Sequence, residues 1–158
     1  MNESKEKYYE EIKEQLLKNE VRKKVREYYT NKNDLTTYYE VGKLLSEAGK
    51  HYGESIIKKY SIKLEIEIGR KYNWRTLFRM RKYYEVFSNE KLSPFATILS
   101  WSHYIELLSI VDINELLYYV NICKNNNITR DGLRKKIKDK EYQRLPIETR
   151  LKLINNNE

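Results

Sequence analysis

Five glycines and two prolines are the only backbone punctuation in 158 residues. A chain with so few residues that favour turns has few places to reverse direction tightly. Its Lys, Glu, Leu and Ile are sound helix formers, so the expectation is long helices with short connections. Hydrophobic residues make up 40% of the chain, enough for a core, and charged residues 34%, above the usual quarter. We therefore expect an all-α fold: one compact multi-helix domain over residues 1–158, with helix-turn-helix-like pairs and a long N-terminal helix.

Residues 3–29 read as that charged helix. Its apolar stripe would be Tyr8, Ile12, Leu16, Val21, Val25 and Tyr28, and residues 1–30 could serve as a dimerisation arm. Asn31-Lys32-Asn33-Asp34 should break it, with Asp34 capping a second helix over 35–49 that buries Leu35, Tyr38, Val41, Leu44, Leu45 and Ala48. Gly49 and Gly53 would end that helix. Residues 54–70 carry two patterns at once. Ile62, Leu64, Ile66 and Ile68 alternate as in a strand, whereas Ile56, Ile57, Tyr60, Leu64 and Ile68 follow helical spacing.

Further along, Asn73 can cap a helix from Trp74 to Phe87 whose inner face is Leu77, Met80 and Tyr84, joined by Tyr83 and Phe87. A short helix follows over 102–109, with Leu99 and Trp101 entering the core. Asp112 with Glu115 forms a capping box for a helix to Lys124. Asn125-Asn126-Asn127 is a turn, and Thr129 caps a helix to Lys138. Pro146 opens a last helix within a C-terminal segment 141–158 that frays into Asn155-Asn156-Asn157.

Net charge is +8, and two blocks supply it: residues 51–90 and 129–158 each carry an excess of four positive charges, around a near-neutral centre. Such blocks suit a polyanion bound by counterion release. One cysteine, Cys123, excludes an internal disulfide. The mixed Lys and Glu of Met1–Glu14 exclude a secretory signal, and no stretch has the roughly 18 apolar residues of a membrane span. The expected setting is the cytoplasm, with no membrane partner.

The segments Tyr39-Glu40-Val41-Gly42-Lys43-Leu44, Tyr52-Gly53, Leu77-Phe78-Arg79-Met80-Arg81-Lys82-Tyr83-Tyr84 and Leu99-Ser100-Trp101-Ser102-His103-Tyr104 follow one another in the order of a known pattern. The chain resembles the N-terminal helical domain of the YhcG family of bacterial proteins over about residues 30–140. Val41 stands where that family usually has Ile, and Phe78 where a polar residue is common. The resemblance implies an all-helical core over 31–140, which turns the ambiguous 54–70 into a helix. It also implies a link to nucleic acid, because full-length relatives continue into a PDDEXK-type nuclease domain that this chain is expected to lack.

Candidate chemistry is sparse. Glu65-Ile66-Glu67 and Glu10-Glu11 are paired acids without the accompanying Asp that a metal nuclease needs, so they read as solvated helix faces. Two His and one Cys cannot build a usual zinc site. Cys123 reads as a buried apolar residue and His103 as a structural hydrogen-bonding residue. No enzyme, cofactor or metal is expected.

Two helices carry dense cation clusters beside aromatic residues. Arg70, Lys71, Arg75, Arg79, Arg81 and Lys82 crowd the 74–87 helix, with a ridge of Arg75, Arg79 and Lys82 at spacings of four and three. Thr129, Arg130, Arg134, Lys135 and Lys136 crowd the 129–138 helix. These eleven are the candidate nucleic-acid contacts, with DNA preferred over RNA. The 15 tyrosines, several in doublets, should place one ring inward and its neighbour near the surface, where rings stack on bases or enter protein interfaces. The expected function is a non-catalytic nucleic-acid-binding module assisting a nuclease supplied in trans. The alternative is a homodimeric interaction module docking on a larger nuclease or nucleoprotein complex in a bacterial or phage defence setting.

Overall fold

The computed structural model describes residues 2–25 and 30–156, with side chains described over 4–24 and 34–156. The described residues form nine α-helices and two short 3-10 turns, with no strand. They divide into two compact units, Met1–Ser88 and Asn89–Glu158.

The first unit is built around its second helix. Helix α1 spans Asn2–Val25, α2 Thr30–Tyr52, α3 Ser55–Glu67 and α4 Trp74–Phe87, with a 3-10 turn at Arg70–Tyr72 between the last two. α2 packs mainly against α4 and α1, and also against α3. The closest approach is at Gly42, where a Cβ would sit 2.1 Å from the carbonyl oxygen of Met80 and 2.9 Å from Cβ of Tyr84. Only the absence of a side chain lets the two helix backbones approach so closely there.

α1 does not bury the stripe its spacing suggests. Tyr9, Ile12, Leu16 and Asn19 are its fully buried residues; Tyr8 is half-buried and Val21 is 60% exposed. The stripe turns onto a polar residue because α2 supplies partners for it. Asn19 donates to Asp34 at 2.7 Å and accepts from Thr37 at 3.3 Å, so its amide is satisfied on both sides. The expected break at 31–34 is absent, since α2 already runs through it. Asp34 is no N-cap: one turn inside α2, its carboxylate takes the Asn19 amide and lies 3.6 Å from the Lys23 ammonium. The side chains of Val25, Tyr28 and Tyr29 lie outside the described residues.

Residues 55–67 are helical, as the resemblance implied. Ile56, Ile57, Tyr60, Ser61 and Leu64 are buried, while Ile62 and Ile66 are 61% and 82% exposed. The strand-like alternation was therefore two helical faces interleaved. α2 also outruns its expected end: it passes through Gly49 and stops at Tyr52, where Gly53 takes a φ of +85°.

In the second unit α5 spans Trp101–Leu107, α6 Ile113–Asn126, α7 Arg130–Lys138, α8 Glu141–Arg144 and α9 Ile147–Asn156. The predicted cap at Thr129 forms, its hydroxyl accepting from Gly132 at 3.1 Å, and Asn127 of the predicted Asn-rich turn, at φ 51°, ends α6 in the left-handed region. Asp112 caps α6 through Asn114 at 2.8 Å, but Glu115 accepts from Gln143 at 2.9 Å, a tertiary contact in place of a capping box. α7 packs chiefly on α5 and α8. Trp101 is only half-buried, whereas Leu99 is 7% exposed.

The tyrosines are structural ties. The hydroxyl of Tyr9 donates to Glu67 at 2.6 Å, that of Tyr60 to the Lys5 carbonyl at 2.9 Å, and that of Tyr72 to Glu20. In the second unit Tyr104 accepts from the Ile98 and Leu99 amides and donates to the Phe95 carbonyl, while Tyr118 donates to Glu141 at 2.9 Å. Each ring fills core and each hydroxyl finds a partner, which removes the penalty of a buried orphan group. Burial pushes the Tyr60, Tyr104 and Tyr118 phenols up to about 12.

Candidate nucleic-acid interface

α4 owes its orientation to its cap and its apolar face. The Asn73 side chain accepts from the Thr76 amide at 3.0 Å and starts the helix at Trp74. Leu77, Met80, Tyr83 and Phe87, spaced three, three and four, are buried. The residues between them must then point outward. Arg75, Arg79 and Lys82 are exposed on that outward side, at the spacings of four and three that make a continuous ridge. Along the axis they stand about 6 and 4.5 Å apart, at 1.5 Å per residue.

None of these three, nor exposed Arg70, has a carboxylate within 4 Å among the described residues. The one acid on α4, Glu85, lies 3.4 Å from Arg81. Arg81 itself stands apart from the ridge. Its side chain is 15% exposed, its Nη1 donates to Glu54 at 3.2 Å and its guanidinium lies 4.3 Å from the Phe78 ring centroid. It closes the α2–α3 turn onto α4 and is not offered to a ligand. Lys71 is also engaged, since its ammonium pairs with Glu20. Burial alone would raise the Glu20 carboxyl, but the Lys71 and Tyr72 hydrogen bonds outweigh it and hold that group below its ordinary value.

An aromatic element borders the ridge. Trp74 is 44% exposed, and among the described Phe, Tyr and Trp rings it alone is open to solvent. Phe78, one turn on, meets it edge to face at 5.2 Å, and the Lys58 ammonium of α3 lies 5.3 Å from its centroid. In three of the four described tyrosine doublets, 8–9, 83–84 and 118–119, one ring is buried and its neighbour half-buried, as the sequence suggests; in 38–39 both are half-buried, and none of these rings is as open as Trp74.

The second cation cluster is largely spent inside its own unit. Arg134 donates from Nε and Nη2 to one oxygen of Glu106, at 3.0 and 2.6 Å, and Arg130 lies 3.8 Å from the same atom and 3.1 Å from Asp131. Lys136 donates to Glu141 at 2.9 Å, and Thr129 is used as the α7 cap. Lys135 remains exposed and unpaired among the described residues, as does Lys138.

The remaining candidates have structural roles. His103 contacts the Ile128 carbonyl through Nε2 at 2.7 Å and the Ser100 hydroxyl through Nδ1, so Nε2 carries the proton and Nδ1 accepts. It pins the residues before α7 to the start of α5. Cys123 is buried, and its thiol is pushed up to about 11 by that burial. Glu67 is exposed, as expected of a solvated helix face, and it also holds Lys13 at 2.7 Å and the Tyr9 hydroxyl, tying α3 to α1. No group of three or more His, Cys, Asp or Glu side chains that could hold a metal exists among the described residues. No helix is long and apolar enough to cross a membrane among them.

The profile of one protein family, the DUF1016 N-terminal domain, matches residues 11–144, somewhat more of the chain than the motifs quoted above cover. No curated protein and no solved structure matches the chain.

Proposed function

This chain belongs to the DUF1016 N-terminal domain family, the YhcG-like N-terminal domain, and from that premise we propose that it is a non-catalytic nucleic-acid-binding module whose contact surface is the outward face of α4. The observation that supports this most is the uncompensated ridge of Arg75, Arg79 and Lys82, with Arg70 beside its start. Guanidinium groups with no internal carboxylate are free to take phosphate oxygens, and a folded backbone fixes their spacing. In the setting the family resemblance suggests, the module would hold nucleic acid for a nuclease carried by another polypeptide.

The test is binding of labelled oligonucleotides across a salt series by the parent chain and by Arg75→Ala/Arg79→Ala/Lys82→Ala. Losing three phosphate contacts should lower the slope of log affinity against log salt by about two to three. Equal affinity and slope for the triple variant would refute the assignment.

One observation favours a second reading, self-association through α1. Leu17 and Val21 are 42% and 60% exposed, with Glu14 before them and Lys24 after them at heptad spacing. A second copy laid antiparallel would set Leu17 against Val21 and Glu14 against Lys24 on both sides of the two-fold axis. A concentration-dependent mass by light scattering that Leu17→Glu abolishes would support it; a monomer mass at every concentration would not.

A further inference from the structure

We propose that the α4 surface takes unpaired bases, with Trp74 as the platform on which one base stacks while the ridge holds the flanking phosphates. The inference rests on the phosphate-binding reading above and adds the chemical state of the polymer.

Three features of the surface support it. Trp74 is the sole solvent-open ring among the described Phe, Tyr and Trp residues, the other described rings being buried or half-buried. It stands within a row of Trp74, Phe78 and Lys82, one turn apart each, beside the row of Arg75 and Arg79. The ring is also held in place. Phe78 meets it at 87° and 5.2 Å, so the indole is braced by its neighbour one turn on. Lys58 lies over the ring and adds a further cation next to the stacking surface.

A base in a duplex is already stacked on both faces, and only unstacking the step would expose it to Trp74. An unpaired base has a free π-face and incurs no such cost. A single aromatic platform beside a cation track is the arrangement that binds single strands with little sequence preference.

The experiment uses the full chain and three probes: a fluorescein-labelled 12-nucleotide oligo(dT), the same length of abasic strand, and a 12-base-pair duplex. The abasic strand keeps every phosphate and removes the bases. Trp74→Ala should weaken oligo(dT) binding by about five- to 150-fold, the range found for one stacked base. It should leave the abasic strand and duplex unchanged, and Trp74→Phe should restore much of the loss. The ridge triple variant should weaken all three probes. As a second readout, indole fluorescence in a Trp101→Phe background should be quenched by oligo(dT) and not by the abasic strand. Trp74→Ala binding oligo(dT) like the parent, while the ridge variant loses it, overturns the stacking proposal and leaves the phosphate face standing. A ridge variant that binds all three probes like the parent overturns both. Equal loss on oligo(dT) and abasic strand in Trp74→Ala also overturns stacking, because the ring would then be serving the fold.

Discussion

Replacing Gly42 with Ala tests the packing that positions α4. In an isolated helix this change is favourable by about 1 kcal/mol, because Ala is the better helix former. In α2 the new Cβ would lie 2.1 Å from the Met80 carbonyl oxygen, 2.8 Å from its carbon and 2.9 Å from Tyr84 Cβ. Two of those atoms are backbone and cannot rotate away. Relief requires α2 and α4 to part by roughly 1 Å, a gap that forfeits a quarter to a half of each dispersion contact across the seam. Overpacking of this kind costs about 3 kcal/mol at the upper end of its usual range. Set against the helix gain, the net loss is about 2 kcal/mol, or at least 4 °C in Tm for a chain of this size. Gly49, in the same helix, is the internal control: a Cβ there meets only Arg81 Nη1 at 3.9 Å. Gly49→Ala should therefore raise stability by up to about 1 kcal/mol. Thermal and urea melts followed by circular dichroism at 222 nm measure both. Gly42→Ala as stable as the parent, or both variants moving in the same direction, would refute the close-approach argument.

Arg81→Ala should destabilise the fold by about 1 kcal/mol through loss of its ring contact and its largely exposed ion pairs, whereas Arg75→Ala should stay within about 0.5 kcal/mol in the same melts. Glu106→Gln should release Arg130 and Arg134, so nucleic-acid affinity and its salt slope should both increase in the titration; no change would mean those guanidinium groups are not accessible even when unpaired. Stability should fall on both sides of neutrality. The Glu20, Glu67 and Glu141 carboxyls are held below their ordinary 4.5, so the unfolded chain takes up protons first as pH drops and the stability they supply is lost below that value. The Cys123 thiol, raised by burial from 9.0 to about 11, and the Tyr60, Tyr104 and Tyr118 phenols, raised from 10.0 to about 12, ionise first in the unfolded chain. Stability should therefore decline from about pH 9 upward in urea melts at stepped pH.

Helix identity was legible wherever a cap and an apolar period agreed. Asn73, Asp112 and Thr129 all start helices where their spacing places them. Three misreadings share one cause: a polar side chain that sequence assigns to its own backbone was claimed by a distant element. Asp34 serves Asn19 across the α1–α2 seam, and Glu115 serves Gln143. The α1 stripe failed for the same reason, since a buried Asn is inconsistent with an apolar stripe until its Asp and Thr partners are known. Trp74 showed no signal in the sequence beyond its proximity to basic residues, because helical spacing gives the angle of a residue on its helix and not whether another helix covers it.

The two cation blocks show why net charge alone does not single out the proposed contact face. Each carries the same excess of four, and each contains a helix dense in Arg and Lys. Long-range attraction for a polyanion depends on that total, and in this respect the blocks are equivalent. Contact is different, because a guanidinium already bonded to a carboxylate must break that bond before it can take a phosphate. In the 129–158 block Arg130, Arg134 and Lys136 are so bonded, by acids that include Glu106, outside the block itself. In the 51–90 block the acids Glu54 and Glu85 meet the one inward-flanking arginine, Arg81, and leave Arg75, Arg79 and Lys82 without a carboxylate partner among the described residues. The decisive pairings, Glu106 with Arg134 and Glu54 with Arg81, join residues 28 and 27 apart in sequence. No local pattern records them, so the choice between two equal blocks is made by tertiary structure.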